Sequence, residues 1–205
     1  MSASRLEPLP PDQLDDDQRR LYDAVLESPR GRGPARRIIQ RDDGTLTGPF
    51  DPWLRTPGIG LHLERAGMAF RTDAALSDAA REVAVLVVAR AWGAEFEWWV
   101  HGLVARRVGI SEAMIDAIGH GKRPNFDDQA VAAAHDVAVA LVHRREVDDE
   151  TLERARSALG ERALVEVVTL VGFYQLVSGV LKVFEPPPPS GDLPVVGPPT
   201  RGSIP

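Results

Sequence analysis

Glu97 and His101 stand four residues apart in the stretch Glu95-Phe96-Glu97-Trp98-Trp99-Val100-His101. On a helix the two side chains share one face, about one turn apart. A carboxylate beside an imidazole is a workable proton-transfer pair, because it fixes the ring tautomer and stabilises the charged form. Glu82 lies upstream, and Gly93 between them lets one helix fold back sharply on another. With those helices antiparallel, Glu82 reaches His101 from the other side, and three titratable groups converge in an otherwise apolar wall. Spacing alone also fits a solvated surface pair. Trp98 and Trp99 fit a core or an interface as readily as the wall of a planar substrate's pocket. Burial of Glu82, Glu97 and His101 is the feature that separates these readings.

Composition narrows the chemistry further. The 205 residues contain no cysteine, which removes thiol nucleophiles, disulfides, cysteine-based zinc sites and iron–sulfur clusters. His135 and His143 are too far apart on one helix for a tight ligand pair, and His62 and His120 have no partner in reach. No His-Glu-x-x-His motif and no glycine-rich phosphate loop appears, so neither a metal nor a nucleotide cofactor is expected. The formal net charge of -6 argues against a nucleic-acid partner. Arg30, Arg32, Arg36, Arg37 and Arg41 form one basic segment, which suits a solvated loop, a salt-bridge patch or an anionic substrate. No apolar stretch approaches the ~18 uninterrupted residues of a spanning helix. The start of the chain turns acidic without the apolar core of a signal peptide, so a cytoplasmic, non-membrane protein is expected.

The elements that must position these residues read as helices throughout. Pro10 to Glu27 is amphipathic, with Asp12 as its expected cap, and residues 42 to 58 are irregular, with Phe50, Trp53 and Leu54 apolar enough to dock. A short helix is expected from Ile59 to Phe70. Ser77 caps a helix ending at Trp92-Gly93, Ala94 to Val108 makes the next, and Ser111 caps another. Helices then open at Asp127 or Asp128 and at Asp148 or Asp149, and a last one runs from Glu161 to Phe184. Val83 to Val88 is β-branched enough for a buried strand, but its unbroken flanks favour a buried helix. The organisation is an extension over 1–44, a helical domain over 45–185 and a proline-rich extended tail over 186–205. The class is all-α.

Arg81-Glu82-Val83-Ala84-Val85-Leu86, then Gly93-Ala94-Glu95-Phe96-Glu97-Trp98 with His101, Ala105, Gly109-Ile110-Ser111 and Ile115, resembles the carboxymuconolactone decarboxylase and alkylhydroperoxidase D family. The resemblance covers residues 45–185 and is densest over 77–120. It implies an alkylhydroperoxidase D-like helical bundle that assembles as a trimer or hexamer. In the peroxidase branch the matching segment carries two cysteines, which fall here on Ala94 and Glu97, so a thiol peroxidase is excluded. The Glu97-x-x-x-His101 pattern resembles the decarboxylase branch instead. The resemblance then implies a cofactor-free decarboxylase or lyase acting on a small unsaturated carboxylate or lactone. Glu82, Glu97 and His101 would be catalytic, and Arg81, Arg90 and Trp98 would bind substrate. A lyase or isomerase for another small molecule on the same site, or a non-catalytic oligomeric binding protein, are the alternatives.

Overall fold

The computed structural model describes residues 4–186 and Pro189, and the described chain is helical without a strand. Residues 70–178 form one compact unit, and residues 4–69 with 179–186 form another. The proline-rich tail expected over 186–205 lies outside the described residues, Pro186 and Pro189 apart.

In the unit of residues 4–69, helix α1 (Asp16–Glu27) buries Leu21, Tyr22, Val25 and Leu26. Its cap is Asp15 rather than Asp12. The Asp15 carboxylate accepts from the Gln18 N–H while the Gln18 side chain accepts from the Asp15 N–H, a capping box. Pro11–Gln13 forms a separate 3-10 turn, cut off by the extended backbone of Leu14. A short helix, α2 (Arg36–Ile39), precedes the irregular stretch, which itself contains α3 (Phe50–Trp53), and Phe50, Trp53 and Leu54 are buried. Helix α4 (Pro57–Thr72) passes so close to α1 and α3 that a Cβ on Gly60 would lie 2.6 Å from Leu21 and 3.0 Å from Trp53. No larger residue fits there without a shift.

The unit of residues 70–178 is built on helix α5 (Asp78–Trp92), which packs against α6 (Glu95–Arg107), α7 (Glu112–Gly119) and α8 (Gln129–Arg144). Every residue from Ala80 to Ala89 is buried, which explains a valine run without polar interruption. A helix enclosed on all sides needs no polar face. Ser77 accepts from the Ala80 N–H at the start of α5. Gly93, at φ +59°, ends it in a Schellman motif, with the Gly93 and Ala94 N–H groups donating to the Arg90 and Ala89 carbonyls. That left-handed residue turns the chain back into α6. Ser111 and Asp128 cap α7 and α8.

Helix α9 (Asp149–Phe184) is interrupted at Gly160, whose φ of 73° and ψ of 167° are not helical. Glu166 on its second part accepts from the backbone N–H groups of Ala75 and Leu76, just ahead of α5. Counting only uninterrupted apolar runs missed α9, which by length and composition is long and apolar enough to cross a membrane, with 44% of that window buried within the protein.

Candidate active site

Glu82 lies in the second turn of α5 with its side chain fully buried. Its Oε2 is 2.6 Å from Nδ1 of His101 on α6. Its Oε1 accepts from Arg81 Nε at 3.0 Å. Arg81 also donates to Asp78 at 2.6 Å and to the Phe70 carbonyl at 3.3 Å, so its guanidinium is fixed from three directions. On the far edge of the ring, His101 Nε2 stands 3.1 Å from Glu97 Oε2. The fold-back at Gly93 thus places one carboxylate on each imidazole nitrogen. All three residues are buried, at 0% exposure for Glu82, 4% for Glu97 and 3% for His101. Among the three side chains, that of Glu97 is the most open to solvent.

Two residues from distant helices complete the cluster. The Tyr174 ring of α9 meets the imidazole edge-to-face, with centroids 5.0 Å apart. Its hydroxyl lies 3.4 and 3.5 Å from the terminal nitrogens of Arg71, in the last turn of α4. Local spacing gave no hint of either residue, since both reach the site only through tertiary packing. The formal charges of Arg71, Arg81 and a protonated His101 balance those of Asp78, Glu82 and Glu97. A buried cluster of this kind is tolerable only when it is balanced and hydrogen-bonded.

Protonation follows from that balance. Burial opposes the charge on His101. The Tyr174 oxygen, the Glu82 carboxylate and hydrogen bonds to both glutamates outweigh it and push the imidazole up to about 10. The geometry supports that direction independently, because only an imidazolium donates from both nitrogens at once. For Glu82, burial favours the neutral acid, but the charge and hydrogen bond of His101, with Arg71 and Arg81 behind them, hold it down at about 2. Tyr174, with Glu82 and Glu97 beyond it, holds Arg71 more firmly protonated than usual despite burial.

The remaining residues singled out from the sequence have other surroundings. Arg90 donates from Nε to the Gly119 carbonyl, closing the end of α7. Trp98 is buried on α6, and Trp99 stacks obliquely on Phe96 at 6.2 Å. His135 is buried with Nδ1 2.9 Å from Asp136 and its ring 5.2 Å from Phe126. Burial pushes this imidazole down, against the pull of Asp136. Among the described residues, no group of three or more histidines and carboxylates is arranged to hold a metal ion. In the cluster itself the imidazole stands between the two glutamates, so they do not converge on one point. A scan against models of known protein families finds no match, and neither does a search of curated proteins.

Proposed function

We propose that the chain is a cofactor-free acid/base enzyme on an alkylhydroperoxidase D-like bundle of the carboxymuconolactone decarboxylase-like family. Its substrate would be a small unsaturated carboxylate or lactone, and its reaction a decarboxylation or a double-bond rearrangement. The observation that carries this reading is the imidazole of His101 held between two buried carboxylates, Glu82 behind it and Glu97 at the more open end. A binding scaffold has no use for such a cluster, which costs desolvation and gains little net stability over apolar packing.

In this reading Glu97 is the group that meets the substrate. As a carboxylate it takes a proton from a carbon next to the carbonyl, and the C–H electron pair moves into the carbonyl as an enolate. Return of that proton at the conjugated position moves the double bond. In the decarboxylating variant, the pair of the C–CO2 bond enters the conjugated carbonyl and carbon dioxide leaves. The His101 imidazolium hands its Nε2 proton to the Glu97 carboxylate, which delivers it to the carbon, leaving Glu97 ionised and His101 neutral. The neutral ring regains a proton from solvent by way of Glu97, and the Glu82 carboxylate, locked by Arg81, stabilises the charged form that results.

The test is proton exchange. The protein is incubated in D2O with a panel of β,γ- and α,β-unsaturated carboxylates and lactones, and proton NMR follows the carbons next to the carbonyl. The reading expects protein-dependent deuterium incorporation or product with at least one member, lost in Glu97→Gln. No exchange above buffer from folded protein across the panel would remove it.

A further inference from the structure

A cleft of about 640 Å³ opens where the C-terminal ends of α5 and α8 meet the second part of α9. Its volume lies in the range of small-molecule sites. None of Glu82, Glu97 and His101 lines it. The apolar side is formed by Trp92 and Val168, which leave 38% and 44% of their surface exposed, and by Gly172. A Cβ on Gly172 would meet nothing within 4 Å, so packing within the chain does not require glycine there. Glycine inside a helix costs roughly 1 kcal/mol against alanine. The sequence accepts that cost and keeps a flat floor.

The polar side carries the second unexplained cost. Arg145 ends α8 in the left-handed region, at φ +60°, with its N–H donating to the Ala140 and Leu141 carbonyls. Glycine is the usual residue at that seat, and a side chain there is disfavoured. The neighbouring Arg144 pairs with Asp148 at 2.9 Å. Arg145 makes no ion pair or side-chain hydrogen bond among the described residues, and neither do His143 and Gln175 beside it in the cleft wall.

The geometry points to a binding site for a small organic anion with a flat apolar body, an aromatic carboxylate being its simplest member. The ring lies against Trp92 and Val168 over Gly172. The carboxylate pairs with the Arg145 guanidinium, whose planar fork suits two parallel hydrogen bonds, and His143 and Gln175 flank it. This site is separate from the glutamate–histidine cluster and does not depend on what that cluster does.

The probe is 2-naphthoate, titrated into the full chain by calorimetry and by tryptophan fluorescence, with neutral 2-naphthalenemethanol alongside. Wild type is expected to bind naphthoate saturably, with a Kd on the order of 0.1–1 mM, as suits a ligand of this size. Arg145→Gly takes the left-handed backbone without strain, so it keeps the fold. It should weaken naphthoate by roughly tenfold or more and leave the neutral analogue unchanged. Gly172→Leu, on a helix face with open space, should abolish binding of both while keeping the melting temperature. Glu97→Gln should change neither. The proposal is overturned if naphthoate does not saturate by about 10 mM, or if Arg145→Gly binds it as wild type does. It also fails if Glu97→Gln abolishes binding, which would place the probe at the cluster. Finally, light scattering showing that Gly172→Leu breaks an oligomer, with naphthoate never bound, would make the cleft the seat of a second copy instead.

Discussion

An imidazole with a carboxylate on each nitrogen is a different reagent from one with a single partner. Tyr174 and Glu82 do most to keep His101 charged, the hydrogen bond to Glu97 on its other edge adds to them, and under the proposed function Glu97 is the group that exchanges protons outward. In the proposed reaction His101→Asn should lower the rate by about 10²–10⁴, the worth of one positioned acid or base. Glu97→Gln should cost a comparable amount, and the double variant little more than either, because the two act as a unit. Glu95, exposed and about 200° round the helix from Glu97, should tolerate Glu95→Gln. Steady-state rates on any substrate found in the exchange panel check all four. A folded His101→Asn protein near wild-type activity would contradict the assignment. The Glu97–His101 pair was legible as a helical i, i+4 spacing, and Glu82 through the turn at Gly93. The arginines were less so, because a cation beside a glutamate reads equally as a clamp for substrate or as a support. Arg81 supports Glu82, Arg90 closes α7, and the cation nearest Tyr174 is Arg71.

At the level of elements, the cluster exists because α5 and α6 meet at one left-handed residue. Gly93 has open space around it, so Gly93→Ala introduces no clash. Its cost is conformational, about 1–2 kcal/mol for a non-glycine residue in the left-handed region. Thermal unfolding should show a lower melting temperature, by some degrees, with the helical circular dichroism of the folded state kept. An unchanged melting temperature would mean that this turn does not set the geometry. Helix limits were legible wherever a short polar side chain caps an N-terminus, as at Ser77, Ser111 and Asp128, or glycine ends or breaks a helix, as at Gly93 and Gly160. The sequence misled at the first helix, where four aspartates over positions 12–17 offer competing caps. Leu14 is extended, and only Asp15 has a glutamine three residues on to complete a capping box. The valine run of α5 was ambiguous in isolation, because a helix buried on all sides loses the period that would identify it.

For the whole molecule, stability should depend on pH in a way set by the buried groups. Folding raises the pKa of His101 from 6.5 to about 10, so its contribution is complete below pH 6.5 and lost as pH rises toward 10. Glu82 runs the other way, contributing fully above pH 4.5 and losing that as pH falls toward 2. Buried His135, pushed down, also weakens the fold as acid charges it below pH 6.5. Between pH 7 and 10 the melting temperature of wild type should therefore fall more steeply than that of His101→Asn; equal slopes would contradict the cluster's electrostatics. Assembly is a separate matter. The family resemblance implies a homo-oligomer, and we propose that assembly for this chain on the resemblance alone. Light scattering should give about three or six times 22.3 kDa, and a monomer at micromolar concentration would contradict it. The most direct test of the central claim is the titration of His101 itself. Nitrogen-15 NMR of histidine-labelled protein, assigned with His101→Asn, should show both ring nitrogens of His101 protonated at pH 8 and titrating near 10. A His101 signal that titrates near 6.5, or a neutral ring at pH 8, would contradict an imidazolium held between Glu82 and Glu97.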